Sequence, residues 1–143
     1  MKRNPEAAFG RRAILTAAAG APAAGALAQG PADVEFVRRA FALRDQAAAA
    51  GDQPFGAVVV RDGRVVGEAP SRVVVAGDPT AHAEIEAIRD AARRLGTRDL
   101  SGATLYGSSR ACPMCEAAAS WARIARLVHG ADASDRGPPR LGC

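Results

Sequence analysis

The chain has 143 residues, 48% of them hydrophobic and 4% aromatic, with a formal net charge of +4. That length holds one domain with a real core and excludes two ordinary ones, and the apolar share excludes a disordered chain. Lys2, Arg3, Arg11 and Arg12 against Glu6 carry most of the charge, so the fifteen arginines from residue 29 onward face fourteen carboxylates and leave no basic stripe for a nucleic-acid backbone.

Residues 1–28 read as an address. A basic start, a stretch of small apolar residues and "ALA" just before Gln29 make the three-part plan of an export signal. Arg11-Arg12 followed by Ala13, Ile14 and Leu15 resembles the twin-arginine signal of bacteria, so export to the periplasm is expected. Gly20, Pro22 and Gly25 break the apolar stretch, which excludes a stable membrane anchor.

The fold is expected over residues 29–130. "PADVEFVRRAFALRDQAAAAG" predicts an amphipathic helix ending at Gly51, with Val34, Val37, Phe41 and Arg44 along its inner face. "PFGAVVVRDGRVVGEA" predicts a β-hairpin turning at Asp62-Gly63. "SRVVVAGDP" is a loop. From Thr80 to Leu95 the positions Ile85, Ile88, Ala92 and Leu95 keep helical spacing, and Gly96 supplies the stop. "ATLYGSS" reads as a buried strand. "CPMCEAAASWARI" reads as a helix starting near Cys112, with Pro113 tolerated in its first turn, and "RLVHG" as a last short strand. The order α-β-β-α-β-α-β predicts a three-layer α/β/α sandwich with a mixed central sheet. Residues 131–143 are polar and rich in Pro and Gly, and are expected to be a loose tail ending in Cys143.

His82 and Glu84 stand two apart at one helix start, and Cys112 and Cys115 three apart at another. One imidazole and two thiolates suit a tetrahedral zinc and leave a fourth position for water, the mark of a catalytic ion. Such an ion lowers the pKa of water to roughly 7. A helix N-terminus favours the thiolate over the thiol. Glu84, beside a ligand but not one itself, could then move protons. The same residues taken singly have plainer readings: a solvated histidine, a redox dithiol, or half of a structural zinc knuckle. An oxidising compartment lends weight to the dithiol. The H-x-E and C-x-x-C elements together match the zinc deaminase pattern.

Three segments, "PFGAVVVRDGRVVGEA", "DPTAHAEIEAIRDAARRLGTRDLSGATLYGSS" and "CPMCEAAASWARI", resemble the cytidine deaminase-like superfamily, nearest to its guanine deaminase and tRNA adenosine deaminase branch. The resemblance covers roughly residues 33–130. It implies Zn2+ on His82, Cys112 and Cys115, and Glu84 as proton shuttle. It implies a base pocket lined by Phe55, Gly56 and Ala57 with Ser71 and Ala83 nearby, Trp121 near the pocket or at the subunit contact, and a homodimer. A core position for Trp121 is the plainer alternative. The reaction implied is hydrolytic: water attacks an amine-bearing ring carbon and ammonia leaves. Three departures stand out. Arg110 and Ala111 replace the usual Glu-Pro before the first cysteine, Ser71 replaces a substrate-holding Asn, and the chain is short at its C-terminal end. The expected function is deamination of a small nucleobase or nucleoside, a guanine-like purine favoured. The alternatives are an impaired zinc-bound scaffold, a nucleic-acid adenosine deaminase, and a periplasmic dithiol switch at Cys112 and Cys115.

Overall fold

The computed structural model describes residues 30–140; the expected export signal and Cys143 lie outside the described residues. Eight elements follow in chain order: α1 (Pro31–Ala49), β1 (Gly56–Arg61), β2 (Arg64–Pro70), α2 (Ala83–Leu95), β3 (Thr104–Gly107), α3 (Pro113–Trp121), β4 (Arg126–His129) and β5 (Ser134–Gly137). They build one five-stranded sheet in the order β2-β1-β3-β4-β5. The pairs β1/β2, β1/β3 and β4/β5 are antiparallel and β3/β4 is parallel, so the sheet is mixed, as expected.

Alternation along the strands makes the layers. Val58 and Val60 of β1, Tyr106 of β3 and Val128 of β4 face Val37, Ala40 and Leu43 of α1. Their neighbours Ala57, Val59, Leu105 and Leu127 face the other way, against Ala83, Ala87 and Ala91 of α2 and Ala119 of α3. Side chains two apart share a face of a strand, so each central strand feeds both cores. This is the α/β/α sandwich that the element order predicts.

The hairpin turns at Asp62 (φ 52°) and Gly63 (φ 72°), the double left-handed turn that matches strand twist. Gly96 ends α2 in the left-handed conformation (φ 64°, ψ 25°), as expected of a helix stop.

Two expectations are corrected. The inner face of α1 is Asp33, Val37, Ala40, Leu43 and Ala47, while Val34 is 42% exposed and Phe41 and Arg44 are half-buried. The reason is close packing on β1. A side chain at Gly56 would bring its Cβ to 2.1 Å from the Ala40 carbonyl oxygen, so the helix turns its alanines inward. The larger residues flank the contact, with the Arg44 guanidinium 4.5 Å over the Phe41 ring.

The second correction is the C-terminal segment. It is not loose through residue 137: β5 pairs Ser134 with His129 and Gly137 with Leu127. The open edge of β4 needs partners for its peptide groups. The Arg126 guanidinium, half-buried, takes Asp135 at 2.5 Å and Asp33 of α1 at 2.5 Å. Tyr106 donates to Asp33 at 2.6 Å. One cation thus ties the first helix to the last strand.

Candidate active site

The parallel strands β3 and β4 end side by side, Gly107 opposite His129. From β3 the chain runs straight to the start of α3, while α2 starts at His82 on the same side of the sheet. His82 and Cys112 are the N-cap residues of these two helices, and neither side chain makes a capping hydrogen bond. They turn to each other. His82 Nδ1 lies 3.7 Å from Cys112 Sγ and 3.6 Å from Cys115 Sγ, and the two sulfurs are 3.5 Å apart. Both cysteines are free.

Those edges fit a zinc ion. Two sulfurs at 2.3 Å and one nitrogen near 2.05 Å from a tetrahedral centre are separated by about 3.8 Å (S···S) and about 3.6 Å (S···N). A borderline-soft donor set of two thiolates and an imidazole also favours zinc over magnesium or calcium. Among the described residues this is the one group of three such donors that converges. The two helix N-termini add positive potential at the sulfurs. Cys115 is fully buried, and burial with the nearby Glu84 carboxylate pushes its thiol far above the ordinary range. A bound divalent cation reverses that balance, because it deprotonates a coordinating thiol outright.

Glu84 sits in the first turn of α2, 6% exposed, with Oε2 3.6 Å from Cys115 Sγ. Burial pushes its carboxyl above the usual range, against the pull of its own backbone N–H, the Cys115 thiol and His82. Gly107 leaves the ground before it clear: a Cβ there would stand 3.8 Å from Oε1 and only 2.6 Å from the Ser109 carbonyl oxygen. A cavity of about 20 Å³, room for one water, borders Glu84, Gly107 and His129. It shares Arg110, Glu116, Arg136 and Arg140 with an open groove of about 590 Å³ that reaches Cys112.

The four residues singled out for metal and proton transfer therefore come together. The six expected to bind substrate do not border the Glu84 cavity. Phe55 is 39% exposed, and Ala57 and Ala83 are buried in the core under the sheet. Gly56 is glycine because α1 crosses it. Ser71 is 2% exposed and gives its hydroxyl to Asp52 Oδ1 at 2.8 Å. Trp121 is 63% exposed, which removes the core alternative. It shares an apolar groove with Ile88 and Met114 on the outer side of α2 and α3.

Sequence reading missed Asp52, His129, Arg136 and Arg140. Asp52 is a buried hub that also accepts the Val74 and Val75 N–H groups at 2.9 and 2.8 Å, pinning the 72–77 loop. Burial alone would raise its carboxyl, but these donors with Ser71 and Gln53 outweigh that and hold it low. Nothing local marks it in the sequence. His129 had a usable signal, since it ends a parallel strand, where open α/β sheets place their sites.

Relatives share this architecture. A guanine deaminase of Bacillus subtilis is 43% identical over 101 residues, 70% of this chain and 65% of its own. Its crystal structure superposes with a TM-score of 0.65, covering 68% of this chain and 62% of that one. A tRNA-specific adenosine deaminase of Haemophilus influenzae is 44% identical over 100 residues, 69% of this chain and 58% of its own. A solved complex with 2,6-diaminopurine is 31% identical with a TM-score of 0.65, covering 68% of this chain and 55% of that one. The matched segment is thus less than two thirds of either curated relative. The profile of the cytidine and deoxycytidylate deaminase zinc-binding region matches residues 31–131, a span that takes in both converging helix starts. With His82, Cys112 and Cys115 in place as its zinc-binding triad, the chain belongs to the cytidine and deoxycytidylate deaminase zinc-binding family.

Proposed function

We propose that the chain is a zinc-dependent hydrolytic deaminase of a small amine-bearing heterocycle, a guanine-like purine first among them. The observation that carries this is the Glu84 carboxylate, buried and 3.6 Å from one of three converging metal donors. Bound zinc supplies the Lewis acidity that brings the pKa of water to roughly 7. The chain's own residues do the rest. His82, Cys112 and Cys115 fix the ion from two helix starts. Glu84 takes a proton from the attacking water and passes it to the departing amine. Water adds to the ring carbon, the C–N bond breaks, a ring carbonyl forms and ammonia leaves. Glu84 ends as it began.

The near-balanced charge beyond residue 28 and the diaminopurine held by one relative support a small substrate over RNA. The two curated relatives do not choose between these, since their identities are 43% and 44%. One observation favours the scaffold reading: the Ser71 hydroxyl donates to Asp52, so the substituted position offers no free donor to a base. Glu84→Gln separates the readings. In the zinc-loaded protein it keeps the metal and lowers ammonia release by about 10²–10⁴-fold. A wild-type protein that holds zinc and releases no ammonia from bases or nucleosides is a scaffold.

Export by the twin-arginine route is part of the proposal. A metal loaded before transport would keep Cys112 and Cys115 from oxidising afterwards.

A further inference from the structure

Three carboxylates are buried among the described residues. Asp33 is paired with Arg126, and Glu84 stands beside the metal donors. Asp52, 7% exposed, has no ion-pair partner among the described residues and no part in the chemistry above. A buried charge without a counter-ion is costly unless hydrogen-bond donors surround it. Here there are four. Gln53 N–H and the Ser71 hydroxyl donate to Oδ1, each at 2.8 Å, and Val74 and Val75 N–H donate to Oδ2 at 2.9 and 2.8 Å. Asp52 is itself fixed at the end of α1, where its N–H donates to the Ala47 carbonyl at 2.9 Å.

The turn that Asp52 holds has little else to keep it in place. Ala76 N–H bonds the Arg72 carbonyl at 2.9 Å, so residues 72–76 make one helical turn whose first amides, those of Val74 and Val75, end on the carboxylate. The Val74 and Val75 side chains are 59% and 55% exposed, and residues 74–77 all face solvent. This turn reaches the metal donors through backbone. Arg72 N–H donates to the Ala81 carbonyl at 3.0 Å, and His82 N–H donates to the Thr80 carbonyl at 2.8 Å. The Ala81 C=O and the His82 N–H belong to one planar peptide unit, so that unit is gripped on both edges. His82 leaves it as the N-cap of α2, with no side-chain capping bond to fix the imidazole.

Resting on the zinc centre described above, we propose that Asp52 is a positioning residue for His82. It holds the 72–77 turn, the turn holds the Ala81–His82 peptide, and the peptide aims the imidazole at the two sulfurs. The site needs such a hold. Cys112 and Cys115 share one helix start, and a single histidine from another completes the donor set. A helix start that a side-chain cap would ordinarily fix is here fixed from outside the helix. Residues that orient a metal-bound histidine without touching the ion change metal affinity by about 10–100-fold when altered.

The test measures the zinc affinity of the full chain by competition with a chelator, with folding checked by circular dichroism. Asp52→Asn turns one acceptor oxygen into a donor that faces N–H or O–H groups, and is expected to weaken zinc binding by about tenfold. Arg72→Pro removes the amide that reaches Ala81 and leaves the four donors of Asp52 in place; it is expected to do the same. Asp33→Asn, on the opposite face of the sheet, is the control: it should lower stability and leave zinc affinity unchanged. Coupling is reciprocal, so in the wild type zinc should slow hydrogen exchange at the Val74 and Val75 amides by about the same factor. It should not do so at the Ser101 amide, which Asp99 holds at 2.9 Å in an exposed turn past the far end of α2. This exchange measurement decides the matter even where a variant does not fold. Zinc affinity unchanged in Asp52→Asn, or lowered no more than in Asp33→Asn, overturns the proposal, as does equal exchange with and without zinc. Either result leaves the metal centre and the deaminase reading standing. A wild-type chain that binds no zinc overturns all three.

Discussion

Glu84 gains nothing for the fold by being a carboxylate. A buried acid of this kind is costly, and burial has already pushed its carboxyl upward. Glu84→Gln keeps the shape, and thermal unfolding is expected to show equal or higher stability alongside the lost turnover. A fall in stability would make Glu84 a structural residue. The sulfurs give a second prediction. In a Cys143→Ser background, Cys112 and Cys115 should resist thiol reagents until a chelator removes the metal, then react two per chain. Immediate reaction, or a disulfide that only a reductant opens, would favour the dithiol switch. These four residues were legible in the sequence because each helix start brings its pair together locally, at spacings of two and three. Asp52 and Arg136 were not legible, since the fold alone supplies their surroundings: Asp52 holds the 72–77 loop, and Arg136 lines the cavity that His129 borders.

Elements meet at two places where a single change should be felt. Gly56→Ala puts a methyl 2.1 Å from the Ala40 carbonyl oxygen and 2.5 Å from the Arg44 nitrogen, which drives α1 off the sheet. Denaturant unfolding should show a loss of about 1–3 kcal/mol. No loss would mean that α1 already stands farther out. At the other end of α1, Asp33 joins Arg126 and Tyr106. Removing it strands a half-buried cation, at a cost of about 3 kcal/mol for Asp33→Ala. The Arg126 guanidinium holds the Asp33 carboxyl below its ordinary value near 3.8. The folded state therefore binds that proton more weakly than the unfolded chain does. Its stabilisation is complete above the ordinary carboxylate range and is lost as pH falls through the lowered value. Wild type should lose stability more steeply below about pH 4 than Asp33→Asn does; parallel acid limbs would contradict this. The hairpin and the stop of α2 were legible because Asp62-Gly63 and Gly96 demand positive φ. The face of α1 was not, because small alanines pack closest and weigh least in a hydrophobic pattern. Strand β5 was hidden by its composition: "SDRG" pairs through backbone and through Asp135, with no apolar side chain to announce it.

Across the whole molecule, zinc held by His82, Cys112 and Cys115 would tie two helix starts that are separate in sequence, so binding should add to folding stability. Zinc at a hundredfold excess over its Kd adds about 2.7 kcal/mol, and a chelator should lower the Tm accordingly. A homodimer, expected from the resemblance, would use the exposed Trp121 with Ile88 and Met114 on the outer face of α2 and α3. Trp121→Ser should then shift the sedimentation of the protein toward the monomer; an unchanged profile would place any self-contact elsewhere. The sandwich itself was legible because each central strand alternates cleanly between two cores, whereas the lining of the Glu84 cavity by Arg136 and Arg140 was not, because it forms only when β5 folds back beside the site. The most direct test of the metal centre is X-ray absorption on the purified chain, with the zinc content measured on the same sample. The expected result is one zinc per chain, with two sulfurs at about 2.3 Å and lighter ligands at about 2.0–2.1 Å. A chain without stoichiometric zinc, or a zinc shell lacking sulfur, would contradict the account.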